Sequence, residues 1–139
     1  MQIQQILTSE IEKIRPDATL RQAAEKMRDL DCGSLPVCEG DRVKGIITDR
    51  DIVVRAVADG GNLDETAVRQ VMTKDIVCCF VDQDISEAAR IMSERRVRRL
   101  PVLNRRNKVV GILSLGDLAL EGSDTLATEA LKAVSEPSH

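Results

Sequence analysis

Apolar residues recur at helical spacing in two stretches of the chain, each behind a polar cap. Leu20, Ala23, Ala24, Met27 and Leu30 follow Thr19, which forms a capping box with Gln22; Ile85, Ala88, Ala89 and Met92 follow Asp84, with Glu87 in the same box position. Both patterns predict amphipathic helices. Behind each comes a short apolar run, Leu35-Pro36-Val37-Cys38 or Leu100-Pro101-Val102-Leu103, then a polar turn, Glu39-Gly40-Asp41 or Asn104-Arg105-Arg106-Asn107. A second run follows, Val43 to Ile47 or Val109 to Leu113, so the pattern is strand, turn, strand. Thr48 or Ser114 then opens another helix, through Ile52, Val53, Ala56 and Val57 in the first case and Leu118 in the second. The unit reads β-α-β-β-α.

The two stretches are copies of one another. With an offset of about 65 residues, Thr8 falls on Thr73, Asp17 on Asp82, Ala23-Ala24 on Ala88-Ala89, Met27 on Met92 and Leu35-Pro36-Val37 on Leu100-Pro101-Val102. After one extra residue in the second copy, Val43 meets Val109, Gly45-Ile46 meets Gly111-Ile112 and Asp51 meets Asp117. The organisation expected is a first repeat over 1–60, a linker over 61–70, a second repeat over 71–121 and a tail over 122–139. Gly60-Gly61-Asn62 marks the bridge, and Thr66 to Val71 reads as a short helix leading into the second copy. In the tail, Leu126, Ala130, Leu131 and Val134 offer a helical face, and Ser135-Glu136-Pro137-Ser138-His139 reads as a frayed end. A unit this short exposes one apolar sheet face. The fold expected is therefore α/β (α+β), two repeats packed sheet against sheet as a pseudo-twofold pair.

Composition narrows the chemistry. The 139 residues are 42% hydrophobic, enough for a core, but Phe80 is the sole aromatic residue, which removes the stacking platform that single-stranded nucleic acid needs. A net charge of -3 gives no global attraction to phosphate polymers or anionic membranes. No run approaches the roughly 18 apolar residues of a membrane span, and Met1-Gln2-Ile3-Gln4-Gln5 lacks the features of a signal peptide, so the expected location is the cytoplasm. Cys32, Cys38, Cys78 and Cys79 show no CxxC spacing and read as small buried hydrophobes; with His139 the lone histidine, no metal site is expected. Seven basic residues lie between Arg95 and Lys108, leaving about -10 on the remainder (-3 minus 7). That run reads as a solvated basic face, as phosphate capture by Arg98 and Arg99, or as a nucleic-acid contact. The intervening Leu100-Pro101-Val102 strand argues against a recognition helix.

Leu35-Pro36-Val37 with Gly45-Ile46-Ile47-Thr48-Asp49-Arg50-Asp51, and Leu100-Pro101-Val102 with Gly111-Ile112-Leu113-Ser114-Leu115-Gly116-Asp117, resemble tandem CBS (cystathionine β-synthase) domains over roughly residues 3–121. The layout is similar to stand-alone prokaryotic CBS pairs. The resemblance implies a regulatory module, not an enzyme, that binds an adenosine-containing ligand (AMP, ADP, ATP or S-adenosylmethionine, sometimes NAD) in the cleft between the repeats and signals through a changed interface. It implies a homodimer and an unidentified protein partner; the short apolar runs and near-absence of aromatic residues, not the resemblance, argue against membrane and nucleic-acid roles. In the family position Asp51 and Asp117 are carboxylates for the ribose hydroxyls, and Thr48 and Ser114 offer hydroxyls at a helix start where an anion is favoured. One site is then expected from Thr48, Asp51, Ile46, Ile76, Val77, Arg98 and Arg99. The weaker second is expected from Ser114, Asp117, Ile112, Ile11, Glu12, Gly33 and Ser34. The paired guanidinium groups favour a nucleotide in the first; Glu12 and the small neutral residues disfavour phosphate in the second.

Two other readings stand beside this one. Thr48-x-x-Asp51 and Ser114-x-x-Asp117 are also plain capping boxes, and Gly45 and Gly111 are also plain strand-end glycines. On that reading the clefts are vestigial and the chain is a stress-response interaction scaffold without a nucleotide. An enzyme is disfavoured: no cysteine has a base nearby in sequence, and Asp49 and Asp51, two apart at a helix start, point in different directions.

Overall fold

The computed structural model describes residues 1–7, 12–121 and 124–135. The chain divides into two compact units, Glu12–Ile76 and, together, Met1–Ile11 with Val77–His139. These boundaries differ from those of the sequence repeats, because the segment preceding each repeat folds onto the unit that holds the other.

In Glu12–Ile76, helix α1 (Leu20–Leu30) starts at the anticipated capping box. The Gln22 N–H donates to Thr19 Oγ1 at 3.1 Å, and the Thr19 N–H donates to Gln22 Oε1 at 2.9 Å. The helix stops where Asp31 turns left-handed at φ 52°. Its buried face, Leu20, Ala23 and Met27, belongs to one core with Leu35, Val37 and Ile47 from the antiparallel strands β1 (Ser34–Glu39) and β2 (Arg42–Thr48). The strand expected ahead of α1 shrinks to a single parallel bridge between Ile14 and Val37. Pro16 follows at once and has no N–H to extend a ladder.

After Thr48 the chain makes one α-helical turn, α2 (Asp49–Asp51), and continues as a π-helix over Ile52–Val57. The Ala58 N–H reaches back five residues to the Val53 carbonyl, 3.0 Å away. The β-branched run Ile52-Val53-Val54 is a poor α-helix former, which suits this wider winding. The linker is ordered: Leu20 and Arg21 donate their N–H groups to Thr66 and Leu63, and the short helix expected over Thr66 to Val71 is a 3₁₀ turn, Val68–Gln70, with Val68 fully buried.

The other unit holds a three-stranded sheet in the order β3 (Cys79–Phe80), β4 (Arg99–Leu103), β5 (Val109–Ser114), with β3 parallel to β4. Here the opening strand does form. Helix α3 (Ile85–Arg95) buries Ile85, Ala88, Ala89 and Met92, as its periodicity predicts. Its cap departs from the expected box: Asp84 accepts from the Ser86 N–H at 3.0 Å and the Ser86 hydroxyl at 2.6 Å, while Glu87 turns to Arg90 at 2.7 Å. An arginine three residues along the same helix face competes successfully for that carboxylate. Helices α4 (Leu115–Glu121) and α5 (Asp124–Ser135) pack on α3, with Ala130 fully buried and Leu131 half exposed. The side chain of Leu126 and residues 136–139 lie outside the described residues. Residues 1–7 join this unit: Ile3 and Gln4 donate to the carbonyls of Gln83 and Val81, and Ile3 enters the core. Its 3₁₀ turn Ile3–Gln5 stands about 65 residues before the turn Val68–Gln70, so the two copies treat their leading segments alike.

Candidate functional site

The β2 strand delivers Thr48 to the start of α2, and there Thr48 and Asp51 cap each other. The Asp51 N–H donates to Thr48 Oγ1 at 3.0 Å, and the Thr48 N–H donates to Asp51 Oδ2 at 3.1 Å. Asp51 is the one charged side chain that is buried among the described residues. Its retention there is explained by further partners. Thr73 Oγ1 lies 3.5 Å from Oδ2, and the Arg55 guanidinium lies 3.8 Å from Oδ1 while also donating to the Val71 carbonyl at 3.1 Å. Neither Thr73 nor Arg55 was among the candidates read from the sequence. The alignment of Thr73 with Thr8 carried a signal for the first; Arg55, one helical turn beyond Asp51, carried none beyond its spacing.

The second copy repeats the cap. The Asp117 N–H donates to Ser114 Oγ at 3.1 Å, and the Ser114 N–H donates to Asp117 Oδ2 at 2.9 Å. Asp117 is half-buried. In both copies the cap uses Oδ2, so the capping reading is correct as geometry and still leaves Oδ1 to other partners.

The remaining candidates divide between the units. Ile46, buried in β2, exchanges both backbone hydrogen bonds with Thr73, at 3.0 and 2.9 Å. Ile76 ends the same unit, half-buried, whereas Val77 packs against the core of the other. Ser34 stands directly across the ladder from Thr48, and the Gly33 carbonyl accepts from the Asp49 N–H at 3.0 Å. Arg99 stands across from Ser114, and the Arg98 carbonyl accepts from the Leu115 N–H at 3.0 Å. Within a unit, then, the residue pairs before Leu-Pro-Val neighbour the hydroxyl cap of their own copy. Ile112 faces Pro101 across the same ladder. Glu12 pairs with Lys26 at 3.4 Å, and Ile11 lies outside the described residues.

Of the basic run, Arg105 is committed elsewhere: it grips Asp82 with two hydrogen bonds, at 2.8 and 2.7 Å, and lies 4.5 Å over the Phe80 ring. Arg98 is exposed and Arg99 half-buried. Among the described residues no three His, Cys, Asp or Glu side chains come together in a way that would hold a metal ion, and no helix is long and apolar enough to cross a membrane.

The helix, strand-turn-strand and capped carboxylate occur twice in the chain, and comparison with known proteins identifies the repeated unit. The CBS domain family model matches residues 3–57 and again 68–133. The chain is 34% identical over 134 residues to the CBS domain-containing protein YhcV of Bacillus subtilis, covering 96% of this chain and 94% of that one. It is 33% identical over 120 residues to hypoxic response protein 1 of Mycobacterium tuberculosis, covering 86% of this chain and 83% of that one. The crystal structure of Hypoxic Response Protein I with two coordinated zinc ions superposes with a TM-score of 0.79 at 31% identity, over 87% of this chain and 98% of that one. The CBS pair of MJ0100, solved with 5′-methylthioadenosine and S-adenosyl-L-methionine, shares the fold at a TM-score of 0.76 and 23% identity, over 86% of this chain and 93% of that one. This protein belongs to the CBS domain family and carries the domain twice. Such pairs are in general regulatory ligand-binding modules rather than catalysts.

Proposed function

We propose that this protein is a sensor that binds an adenosine-containing ligand, AMP, ADP, ATP or S-adenosylmethionine, and signals through a changed interface with a partner. The reading rests on one observation above the rest: the same hydroxyl–carboxylate cap occurs in both copies, at the family position, and each time spends only Oδ2 of the aspartate. A carboxylate held in this way can accept from the vicinal hydroxyls of a ribose through its other oxygen. The proposed contacts are Thr48, Asp51, Ile46, Ile76, Val77, Arg98 and Arg99 for one ligand position. For the second, weaker position they are Ser114, Asp117, Ile112, Ile11, Glu12, Gly33 and Ser34. Each group draws on both repeats. Regulation follows if the ligand has different affinity for two arrangements of the protein. The MJ0100 complex supports the reading to the extent that its fold accommodates adenosine compounds.

The same proposal includes a cytoplasmic location and a homodimer. Val53, Val54 and Val57 on the π-helix are about half exposed, an apolar patch suited to a second copy.

The test is a thermal-melt panel with AMP, ADP, ATP, NAD, S-adenosylmethionine and GTP, using Asp51→Ala and Arg99→Ala as controls. At 100 times its dissociation constant a native-state ligand adds about 2.7 kcal/mol, a rise of several degrees. The expected result is stabilisation by an adenosine compound but not by GTP, weakened in both variants. No shift with any compound at millimolar concentration would overturn nucleotide sensing and favour the interaction scaffold.

A further inference from the structure

Three features converge on Thr73, a residue well separated in sequence from the motif it serves. Its backbone is pinned to β2, since its N–H donates to the Ile46 carbonyl at 2.9 Å and its carbonyl accepts from the Ile46 N–H at 3.0 Å. This approach requires the adjacent Gly45: a Cβ there would stand 2.6 Å from the Thr73 carbonyl oxygen. The side chain so placed reaches the buried Asp51, with Oγ1 at 3.5 Å from Oδ2. That is the outer limit of a hydrogen bond.

We propose that Thr73 is a positioning residue for ligand recognition: its hydroxyl and the Thr48 N–H hold Asp51 Oδ2 between them, so that Oδ1 is turned to the hydroxyls of a bound ribose. The inference rests on the sensor reading given above and adds the residue that sets its ribose selectivity. A free carboxylate rotates about χ2 and presents either oxygen. With two donors from different segments on Oδ2, that rotation is stopped before the ligand arrives, and the ordering cost on binding falls. The Arg55 guanidinium on the Oδ1 side, tied to the Val71 carbonyl, restrains the same carboxylate from the opposite flank.

The experiment is calorimetric titration of the full chain with AMP and with 2′-deoxy-AMP, for the wild type, Thr73→Ser and Thr73→Val. Valine keeps the shape and the backbone pairing to Ile46 but removes the hydroxyl. The wild type is expected to prefer AMP, and Thr73→Ser to retain that preference. In Thr73→Val, AMP should bind about 3- to 10-fold more weakly, the scale of one lost hydrogen bond, with 2′-deoxy-AMP nearly unchanged, so the preference collapses. A purely structural role would weaken both ligands alike and leave their ratio intact. That outcome, or a valine variant indistinguishable from wild type, would overturn the positioning role while leaving the sensor reading standing. A wild type that binds both compounds equally would remove the ribose contact at Asp51, and the positioning role with it, while leaving the sensor reading standing; a wild type that binds neither would remove AMP as the ligand and the positioning role together.

Discussion

Gly45 lies so close beneath Thr73 that a Cβ added at Gly45 would come within 2.6 Å of the Thr73 carbonyl oxygen and 2.9 Å of the Met72 sulfur. At its counterpart in the second copy, Gly111, the three atoms nearest an added Cβ all belong to the Leu7 side chain, at 2.9 to 3.0 Å. A backbone carbonyl in a two-bond pairing cannot retreat, whereas the end of a leucine can turn. Gly45→Ala should therefore cost about 1–3 kcal/mol in urea unfolding, and Gly111→Ala clearly less. Equal costs would show that the two glycines are interchangeable strand-end residues.

The exposed valines of the π-helix bear on assembly. If Val53 and Val57 face a second copy, Val53→Asp with Val57→Asp should convert a dimer to a monomer in sedimentation experiments, with the fold retained because both side chains are already solvent-exposed. A double variant that sediments as the wild type does would exclude this face as the contact.

Acid should loosen the start of α3. Hydrogen bonds from the Ser86 hydroxyl and backbone, with the terminal ammonium adding to them, hold the Asp84 carboxyl down at about 2. A carboxylate with a depressed folded-state value contributes stability above its unfolded value near 4, and the contribution disappears as pH falls through about 2. Asp84→Asn should therefore melt a few degrees below wild type at pH 7, and the two curves should converge toward pH 2. A gap that persists at pH 2 would mean the cap works without its charge.

Thiol reactivity should follow burial. Cys79 is fully buried, and burial pushes its thiol up to about 12; burial also raises Cys38 and Cys78. Cys32 and Cys78 are half-buried. Iodoacetamide on the native protein at pH 8 should label Cys32 first, the half-buried but upward-shifted Cys78 next, and the buried Cys38 and Cys79 last, as mass spectrometry would show. Rapid labelling of Cys79 would mean that β3 opens locally.

Much of this was legible in the chain, for reasons that are local. The spacing of Leu20, Ala23 and Met27 sets which face of α1 is buried whatever it packs on, and Thr19 with Gln22 makes its cap within four residues. The duplication exposed both copies of the Thr/Ser-x-x-Asp turn, and both close as capping boxes. Where a local rule met a competitor, structure decided. Glu87 was in position to complete a box and pairs with Arg90 instead; Ile14 keeps one bridge because Pro16 ends the ladder.

The placement of Thr73 and Arg55 against Asp51 belongs wholly to the tertiary structure. A periodicity argument reaches a few residues along one element, and Thr73 meets Asp51 only because the chain runs through the π-helix and the Val68–Gln70 turn and returns to the edge of β2. The same holds for the exchange of leading segments, in which residues 1–7 complete the unit of the second repeat. Sequence by itself determined the repeated unit, its helix faces and its capped carboxylates, since each depends on neighbours along the chain. Packing alone determined which distant donors surround the carboxylate, since that depends on where the chain returns.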